Sequence, residues 1–134
     1  LSWSTSSVPL QNIQWFADAS LLKHKDFTEL TDHFTISFSG GAVINSLQLL
    51  TSPRSCYCKP PKPQLGGCAI WDLAAVSLMV EEIGGSVTTF SGKPLDLNRK
   101  ETIYFNDVGL VFTSPDLTYD EFFETMNEVI TLRE

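Results

Sequence analysis

The sequence predicts one α/β domain in which a mixed, partly parallel sheet is flanked by helices. β-rich runs alternate with helical periodicities over most of the chain, and this order is typical of a sheet covered by helices. The 134 residues, 43% of them hydrophobic, match the size of one compact domain with its own core. No internal repeat and no Gly/Ser-rich linker divides the chain. We therefore expect residues 1–134 to form a single domain.

The first third of the chain predicts a helix, a strand and a second helix. Asp26 and Glu29 have the spacing of a capping box, so a short helix should begin there. The β-rich run TISF, residues 35–38, predicts a strand that ends at the glycine turn SGGA, residues 39–42. Apolar residues then recur at helical spacing, which predicts the second helix: Val43, Leu47 and Leu50.

The middle third predicts a strand, an exposed loop and a long helix. The run SCYC, residues 55–58, predicts a brief strand. Three prolines in KPPKPQLGG, residues 59–67, exclude both ladder hydrogen bonds and a helix interior, so an exposed loop is expected. A hydrophobic helix follows from about residue 70 to residue 83, and Gly84–Gly85 suit its left-handed C-terminal cap.

The last third predicts three strands and an amphipathic helix. The β-rich runs are SVTTF, TIYF and GLVF, residues 86–90, 102–105 and 109–112. Thr118 and Glu121 again have capping-box spacing, so a helix should begin there. The apolar residues that share one face of this helix are Phe122, Phe123, Met126, Val129 and Ile130. This face predicts a helix that packs on the rest of the domain.

Charge and cysteine content exclude several classes of function. The net charge of −7 argues against a nucleic acid polymer as partner, because such binders cluster Lys and Arg against phosphates. Neither a membrane span nor a signal peptide is recognisable, so no membrane is expected. The cysteines Cys56, Cys58 and Cys68 cannot all pair, which favours a reducing cytoplasm. Free thiols are favoured over a zinc site, which needs four ligands.

Two places in the sequence suit a ligand in such an architecture. Gly40, Gly41 and Ala42 lie between a predicted strand and a helix, where free N–H groups attract anions and glycine allows close approach. The alternative is a tight turn that needs glycine for its backbone angles. Asp72 lies at the start of the hydrophobic helix, where the helix dipole favours an ionised carboxylate of the kind Mg²⁺ binds. The alternative is an ordinary aspartate in a first helical turn.

Two segments resemble a known family. The stretch WDLAAVSLMVEEIGGSVTTFSGKPL, residues 71–95, resembles the carboxyl-terminal motif of the inositol monophosphatase-like phosphatases, which include bisphosphate nucleotidases. The matching residues are Trp71, Asp72, Ala74, Ala75, Glu82, Gly84, Gly85 and Gly92. The upstream SGGAVINSLQLL, residues 39–50, resembles the family's Gly-Ser-Ala segment, with Gly40, Gly41 and Ala42 in register.

This resemblance implies a Mg²⁺-dependent phosphomonoesterase that acts on small phosphorylated inositols, sugars or nucleotides. It assigns Asp72 as a metal ligand and Gly40, Gly41 and Ala42 as substrate contacts. It also implies that the chain is the carboxyl-terminal α/β domain of an inositol monophosphatase-like fold. Divalent ions in such a site activate water and offset charge on the phosphoryl oxygens.

The 134 residues depart from the family in one important respect. The family's other metal ligands lie in a paired-glutamate stretch and in an Asp-Pro-Leu/Ile-Asp-Gly-Thr motif, and neither is present. One carboxylate cannot hold a catalytic Mg²⁺ alone. We therefore expect the chain to be the carboxyl-terminal half of a two-domain enzyme, with the amino-terminal domain of the same protein as its partner. In isolation it should be inactive, and we expect no catalytic residues within it. A homodimer is the other assembly that an uncovered apolar surface permits. The alternative is a non-catalytic module that binds an anion or a protein.

Three cations and no acid lie between residues 53 and 63: Arg54, Lys59 and Lys62. We expect them, Lys59 and Lys62 above all, to contact substrate by receiving a second phosphate, as a bisphosphate nucleotidase requires. A solvated loop is the alternative explanation.

Overall fold

The computed structural model describes residues 12–63 and 68–131, and it confirms the predicted α/β class. The strands are β1 (Ile13–Phe16), β2 (Phe34–Ser37), β3 (Ser55–Lys59), β4 (Ser86–Thr88) and β5 (Leu110–Thr113). The helices are a 3₁₀ helix (Ala19–Lys23), α1 (Phe27–His33), α2 (Ala42–Gln48), α3 (Ile70–Glu82) and α4 (Tyr119–Thr131).

The strands form one mixed sheet in the order β2-β1-β3-β5-β4. Strand β1 pairs in parallel with both β2 and β3, whereas β5 runs antiparallel to β3 and to β4. The predicted mixed, partly parallel sheet is therefore confirmed. Because β1, β2 and β3 are parallel, their carboxyl ends meet at the same edge of the sheet.

Helices α1 and α4 cover one face of this sheet. Trp15 lies fully buried at the centre of that core, and its ring centroid is 5.1 Å from that of Phe34 and 6.5 Å from that of Phe122. Its indole N–H donates a hydrogen bond of 3.2 Å to the carbonyl oxygen of Cys58. Other buried members of the core are Ile13, Leu30, Val111, Met126 and Val129. Of the apolar face predicted for the last helix, Phe122, Met126 and Val129 are buried and Phe123 is half-buried.

Helices α2 and α3 cover the opposite face. The second core contains Phe16, Leu49, Tyr57, Leu73, Val76, Val80 and Phe112. Both faces of the sheet are thus buried, which explains why β3 and β5 are apolar without a clear alternation. Helix α3 ends at Glu82, and Gly84, with a φ of +96° and an N–H that donates to the carbonyl of Glu81, forms the predicted cap after it.

Three local predictions differ from the structure. Residues 102–105 form no strand, because Ile103 and Phe105 bond to the segment before α3 instead of to the sheet. Strand β1 was not predicted, since four residues buried on both faces show no period. The helical spacing of Val43, Leu47 and Leu50 correctly indicated α2 but not which face of the helix is buried, because Val43 is exposed.

Helix boundaries otherwise follow the predicted signals. Helix α1 begins directly after Asp26, although the side chain of Asp26 makes no capping hydrogen bond. At the start of α4, the N–H of Glu121 donates to Oγ1 of Thr118 at 3.1 Å, so this capping prediction holds. Residues 64–67 of the predicted loop and the side chain of Ile130 lie outside the described part of the chain. None of the helices in the described ranges is both long and apolar enough to cross a bilayer.

Candidate functional site

The candidate site lies at the edge of the sheet where the three parallel strands end. Asp18 follows β1 by two residues, the turn of residues 38–41 follows β2, and Lys59 is the last residue of β3. The backbone N–H of Ala17 donates 2.8 Å to the carbonyl of Ser37, which ties the first two strand ends together. In α/β sheets this edge is the usual place for a ligand.

Asp18 joins these strand ends through its two carboxylate oxygens. Oδ1 accepts a hydrogen bond of 3.1 Å from Nδ2 of Asn45, and Oδ2 accepts one of 3.0 Å from the hydroxyl of Tyr57. The ammonium of Lys59 also lies 3.0 Å from Oδ2, and the two side chains are only 14% and 17% exposed. A buried charge of this kind is stable only with an opposite charge and hydrogen bonds around it.

The glycine turn is held from inside by Asn45 of α2. Nδ2 of Asn45 donates 2.8 Å to the carbonyl of Gly40, and Oδ1 accepts from the N–H of Ser39 at 3.4 Å. Gly40 has a φ of +154°, which disfavours a side chain, and Gly41 and Ala42 open helix α2. The turn therefore needs glycine at residue 40 for its backbone shape, as the alternative interpretation stated, and Gly40 and Gly41 are also exposed to solvent.

Asp72 lies in the first turn of α3, as predicted, and is half-buried. Its Oδ2 accepts a hydrogen bond of 3.1 Å from the N–H of Ala69, so one oxygen caps the helix. A carboxylate has a second oxygen that can face a cation at the same time. Within residues 12–63 and 68–131, no group of three or more metal-binding side chains is present. Asp72 therefore supplies the hard oxygen that Mg²⁺ prefers, but the described residues supply too few ligands to bind the ion alone.

The charges at the strand ends and at the start of α3 act on a common neighbour, Cys68. Burial raises the pKa of the Cys68 thiol to about 12. The ammonium of Lys59 lowers this pKa, while the carboxylates of Asp18 and Asp72 raise it further. The charges of Asp18, Lys59 and Asp72 thus all act on the Cys68 thiol, and the raised pKa keeps this thiol neutral at neutral pH.

A cleft of about 330 Å³ opens beside Asp18 and Lys59. Its charged and titratable lining comprises Asp18, Lys23, His24, Lys59 and Lys62. Three lysines face a single aspartate here, although the whole chain carries a net charge of −7. A positive cleft in an acidic chain favours an anionic ligand.

The structure separates the three cations that the sequence placed together. Lys59 and Lys62 share the cleft, whereas Arg54 lies at the opposite end of β3. There the guanidinium of Arg54 pairs with Oε2 of Glu121 at 3.0 Å. The exposed-loop prediction is wrong for Lys59, which belongs to a strand and whose side chain is largely buried.

Sequence reasoning missed Asp18, Lys23 and His24. The one signal for Asp18 is its position just after a short hydrophobic run, IQWF, which was not recognised as a strand. Lys23 and His24 lie in and after the 3₁₀ helix, and no spacing rule connects them with Lys59. Their proximity arises from the parallel pairing of β1 with β3, which is a tertiary feature.

Comparisons with known proteins converge on one family and one fold. The family model described as "Inositol monophosphatase family" matches residues 25–122. No curated protein sequence matches the chain significantly. An IMPase of Thermotoga maritima superposes with a TM-score of 0.61 at 22% identity, over 92% of this chain and 43% of its own.

Two structures from Staphylococcus aureus are similar to the same extent. Inositol monophosphatase II gives a TM-score of 0.64 at 15% identity, over 95% of this chain and 43% of its own. A calcium-bound IMPase family protein gives a TM-score of 0.63 at 16% identity, over 90% of this chain and 43% of its own. At these identities the likeness concerns the fold. The chain spans less than half the length of these solved structures.

Proposed function

Because the chain belongs to the inositol monophosphatase family, we propose that it is the carboxyl-terminal, substrate- and metal-binding half of a Mg²⁺-dependent phosphomonoesterase. The family and the phosphatase fold agree with hydrolysis of phosphate esters in general. The single observation that carries the proposal is the cleft lined by Lys23, Lys59 and Lys62 at the carboxyl edge of three parallel strands. The substrates proposed are small phosphorylated inositols, sugars or nucleotides, and the 134 residues alone would be inactive.

Substrate binding would use two parts of this edge. The exposed glycines of the turn, Gly40 and Gly41, allow a phosphate oxygen to approach the main chain up to Ala42. The lysines would receive further negative charge, such as the second phosphate of a bisphosphate nucleotide. Lys62 is half-buried and has no carboxylate within ion-pair distance in the described residues, whereas Lys59 is already neutralised by Asp18. Lys62 therefore supplies the net charge and Lys59 a fixed donor.

The metal would be held by Asp72 together with ligands from outside the described residues. When bound, a divalent ion would activate a water molecule and offset charge on the phosphoryl oxygens. This chain's own contribution is the Asp72 carboxylate, which the N–H of Ala69 orients through a hydrogen bond to Oδ2. The reducing cytoplasm remains the proposed location, and the three buried free cysteines are consistent with it.

The surfaces of α2 and α3 support a partner layer. Helix α2 buries the polar Asn45 and exposes Ile44 at 47%, which inverts the usual arrangement of a surface helix. Helix α3 is apolar on its outer face as well, where Trp71 is 66% exposed and Leu78 60%. A helix that is hydrophobic on all sides is normally buried on all sides. We propose that an amino-terminal domain of the same protein covers this face, with a homodimer as the competing arrangement.

The proposal is tested by Asp72→Asn in the protein that contains this chain. Loss of a metal ligand removes several kcal/mol of charge stabilisation, so Mg²⁺-dependent phosphate release should fall by more than about 100-fold. The matched control is Asp120→Asn, because Asp120 also lies in the first turn of a helix, α4, but far along the chain from the cleft. The assay is phosphate release from inositol phosphates, fructose bisphosphate and adenosine 3′,5′-bisphosphate. Unchanged turnover in Asp72→Asn, with the fold intact by circular dichroism, would remove Asp72 from the mechanism.

A second candidate is a non-catalytic module that binds an anion or a protein. The observation that favours it is that no three metal-binding side chains lie close enough together in the described ranges to hold an ion. It predicts that the wild-type protein binds phosphate esters in calorimetry without releasing phosphate at any Mg²⁺ concentration. Phosphate release by the wild-type protein would exclude it.

A further inference from the structure

We propose that Asp18 is the positioning residue of the cleft, because its single carboxylate fixes both the glycine turn, through Asn45, and the ammonium of Lys59. This inference rests on the proposed function, since it states how that same site is kept in shape. The carboxylate lies where β1 ends, between the ends of β2 and β3, and it is the one acidic side chain that lines the cleft in the described part of the chain.

The first link runs from Asp18 to the turn. Asn45 is fully buried, and its amide makes three hydrogen bonds: to Oδ1 of Asp18, to the carbonyl of Gly40 and from the N–H of Ser39. The oxygen and nitrogen of an amide have similar shape, so the bonds alone decide which way the group faces. The carboxylate of Asp18 and the carbonyl of Gly40 accept hydrogen bonds but donate none, so together they force Nδ2 of Asn45 to face them. This orientation leaves Oδ1 for Ser39 and holds the turn.

The second link runs from Asp18 to Lys59. The ammonium has three N–H donors, and Oδ2 of Asp18 takes one of them at 3.0 Å. The other two can point into the cleft, from a side chain whose rotamer is already fixed. A fixed donor binds a ligand without the entropy cost of ordering a free lysine. Lys23 in the same cleft is exposed and has no such anchor among the described contacts.

The hydroxyl of Tyr57 also holds the carboxylate of Asp18. It donates to Oδ2 of Asp18 at 3.0 Å, and burial together with the Asp18 charge raises the pKa of Tyr57 well above its usual value. The tyrosine thus remains a neutral donor. It holds the carboxylate in place while contacting neither the glycine turn nor Lys59 by a hydrogen bond in the described structure.

A positioning role and a merely structural role predict different results. A structural role affects only the stability of the fold. A positioning role makes the glycine turn and Lys59 mobile in a protein that is still folded, so that KM for a phosphate ester rises more than kcat falls. The turn can also be followed without catalysis, by amide hydrogen exchange at Gly40 and Gly41.

The test uses Asp18→Asn in the protein that contains this chain. The amide that replaces the carboxylate can donate, which leaves only the Gly40 carbonyl to orient Asn45 and removes the charge opposite Lys59. KM should rise about tenfold, the effect of one lost hydrogen bond to a charged group, with kcat changed less than about threefold. Exchange at Gly40 and Gly41 should become about tenfold faster or more. The control Glu121→Gln breaks an ion pair of the same chemistry at the far end of β3 and should change neither quantity.

Double variants separate the two links. If Asp18 acts on the turn through Asn45, the exchange rates in Asp18→Asn/Asn45→Ala should be no faster than in Asn45→Ala alone. If Asp18→Asn does not fold, the single variants Asn45→Ala and Lys59→Met each remove one link. Asn45→Ala should raise both the exchange rates and KM, and Lys59→Met should raise KM alone.

Two results would overturn the inference. One is a folded Asp18→Asn protein with wild-type KM and wild-type exchange at the turn. The other is a lower melting temperature with KM and exchange unchanged, which would assign Asp18 a structural role only. If the wild-type protein hydrolyses no ester, the proposed function fails, while the exchange measurements still decide the role of Asp18.

Discussion

The outer face of α3 offers the sharpest prediction about what surrounds this domain. Leu78 and Leu22 are 60% and 56% exposed, so the chain by itself buries both leucines to the same modest extent. Full burial of a leucine side chain contributes about 1.5–3 kcal/mol, and the part already buried is therefore worth about 1 kcal/mol in each case. A second apolar layer on α3 would bury the rest of Leu78 and so raise its contribution to stability by about 1–2 kcal/mol, while the contribution of Leu22 would not change. Truncation of Leu78 would then also leave a cavity, which costs further stability.

The perturbation is Leu78→Ala against Leu22→Ala in the protein that contains this chain. The free energy of unfolding is measured by urea denaturation, with the same dependence on urea concentration (the m-value) for both variants. It should fall by about 1–2 kcal/mol more for Leu78→Ala than for Leu22→Ala. In thermal unfolding this difference is about 2–4 °C per kcal/mol for a protein of 150–250 residues. Equal losses, within about 0.5 kcal/mol, would refute the reasoning and leave the outer face in water. Sedimentation identifies the layer: conversion of a dimer to a monomer by Leu78→Ala would assign it to a second copy.

Two further predictions concern the end of α3 and its start. A Cβ on Gly85 would meet the carbonyl oxygen of Thr113 and lie 2.7 Å from Cγ1 of Val80, so Gly85→Ala should cost about 2–3 kcal/mol in urea denaturation. At Gly84 a Cβ would have only a distant neighbour, but the φ of +96° disfavours a side chain, so Gly84→Ala should cost about 1 kcal/mol. A larger loss of stability in Gly84→Ala than in Gly85→Ala would contradict the geometry. The pKa of Cys68 is raised to about 12, so its contribution to stability is complete below the pKa of about 8.5 of the unfolded thiol and is lost as pH rises towards 12. Cys68→Ala should make the stability of the protein less dependent on pH in that window, and an unchanged dependence would contradict the shift.

Much of the fold could be predicted because the relevant signals are local. The end of α3 is marked by Gly84–Gly85 and the start of α4 by Thr118, and each position is confirmed by hydrogen bonds within a few residues. The run at residues 102–105 shows the limit of this reasoning. It has the composition of a strand, but its backbone groups bond to the segment around Cys68, a partner more than 30 residues away that composition does not indicate.

The candidate site divides in the same way. Asp72 could be placed at a helix start from its neighbours alone, and so could the glycine turn. Asp18 could not, because its importance comes from Asn45, Tyr57 and Lys59, which lie 27 to 41 residues away in sequence and reach it only through strand pairing and the packing of α2. The burial of Lys59 was missed for a related reason: the prolines that follow it suggested a loop that already begins at Lys59.

The position of Asp72 at the start of a largely apolar helix has a consequence for assembly. Asp72 lies in the first turn of α3, while the faces along the helix carry large apolar side chains, both buried and exposed. One face packs on the sheet, and the other exposes large apolar side chains, which we propose are covered by an amino-terminal domain. In the proposed arrangement the amino-terminal domain that covers this face would also supply the oxygen ligands that the described residues lack. Metal binding and domain packing would then be linked: an ion bound only by the assembled halves stabilises the assembly by RT ln(1 + [Mg²⁺]/Kd), or about 2.7 kcal/mol at 100 times Kd. Magnesium should therefore raise the melting temperature of the wild-type protein but not of Asp72→Asn, and an equal increase in both would break this link.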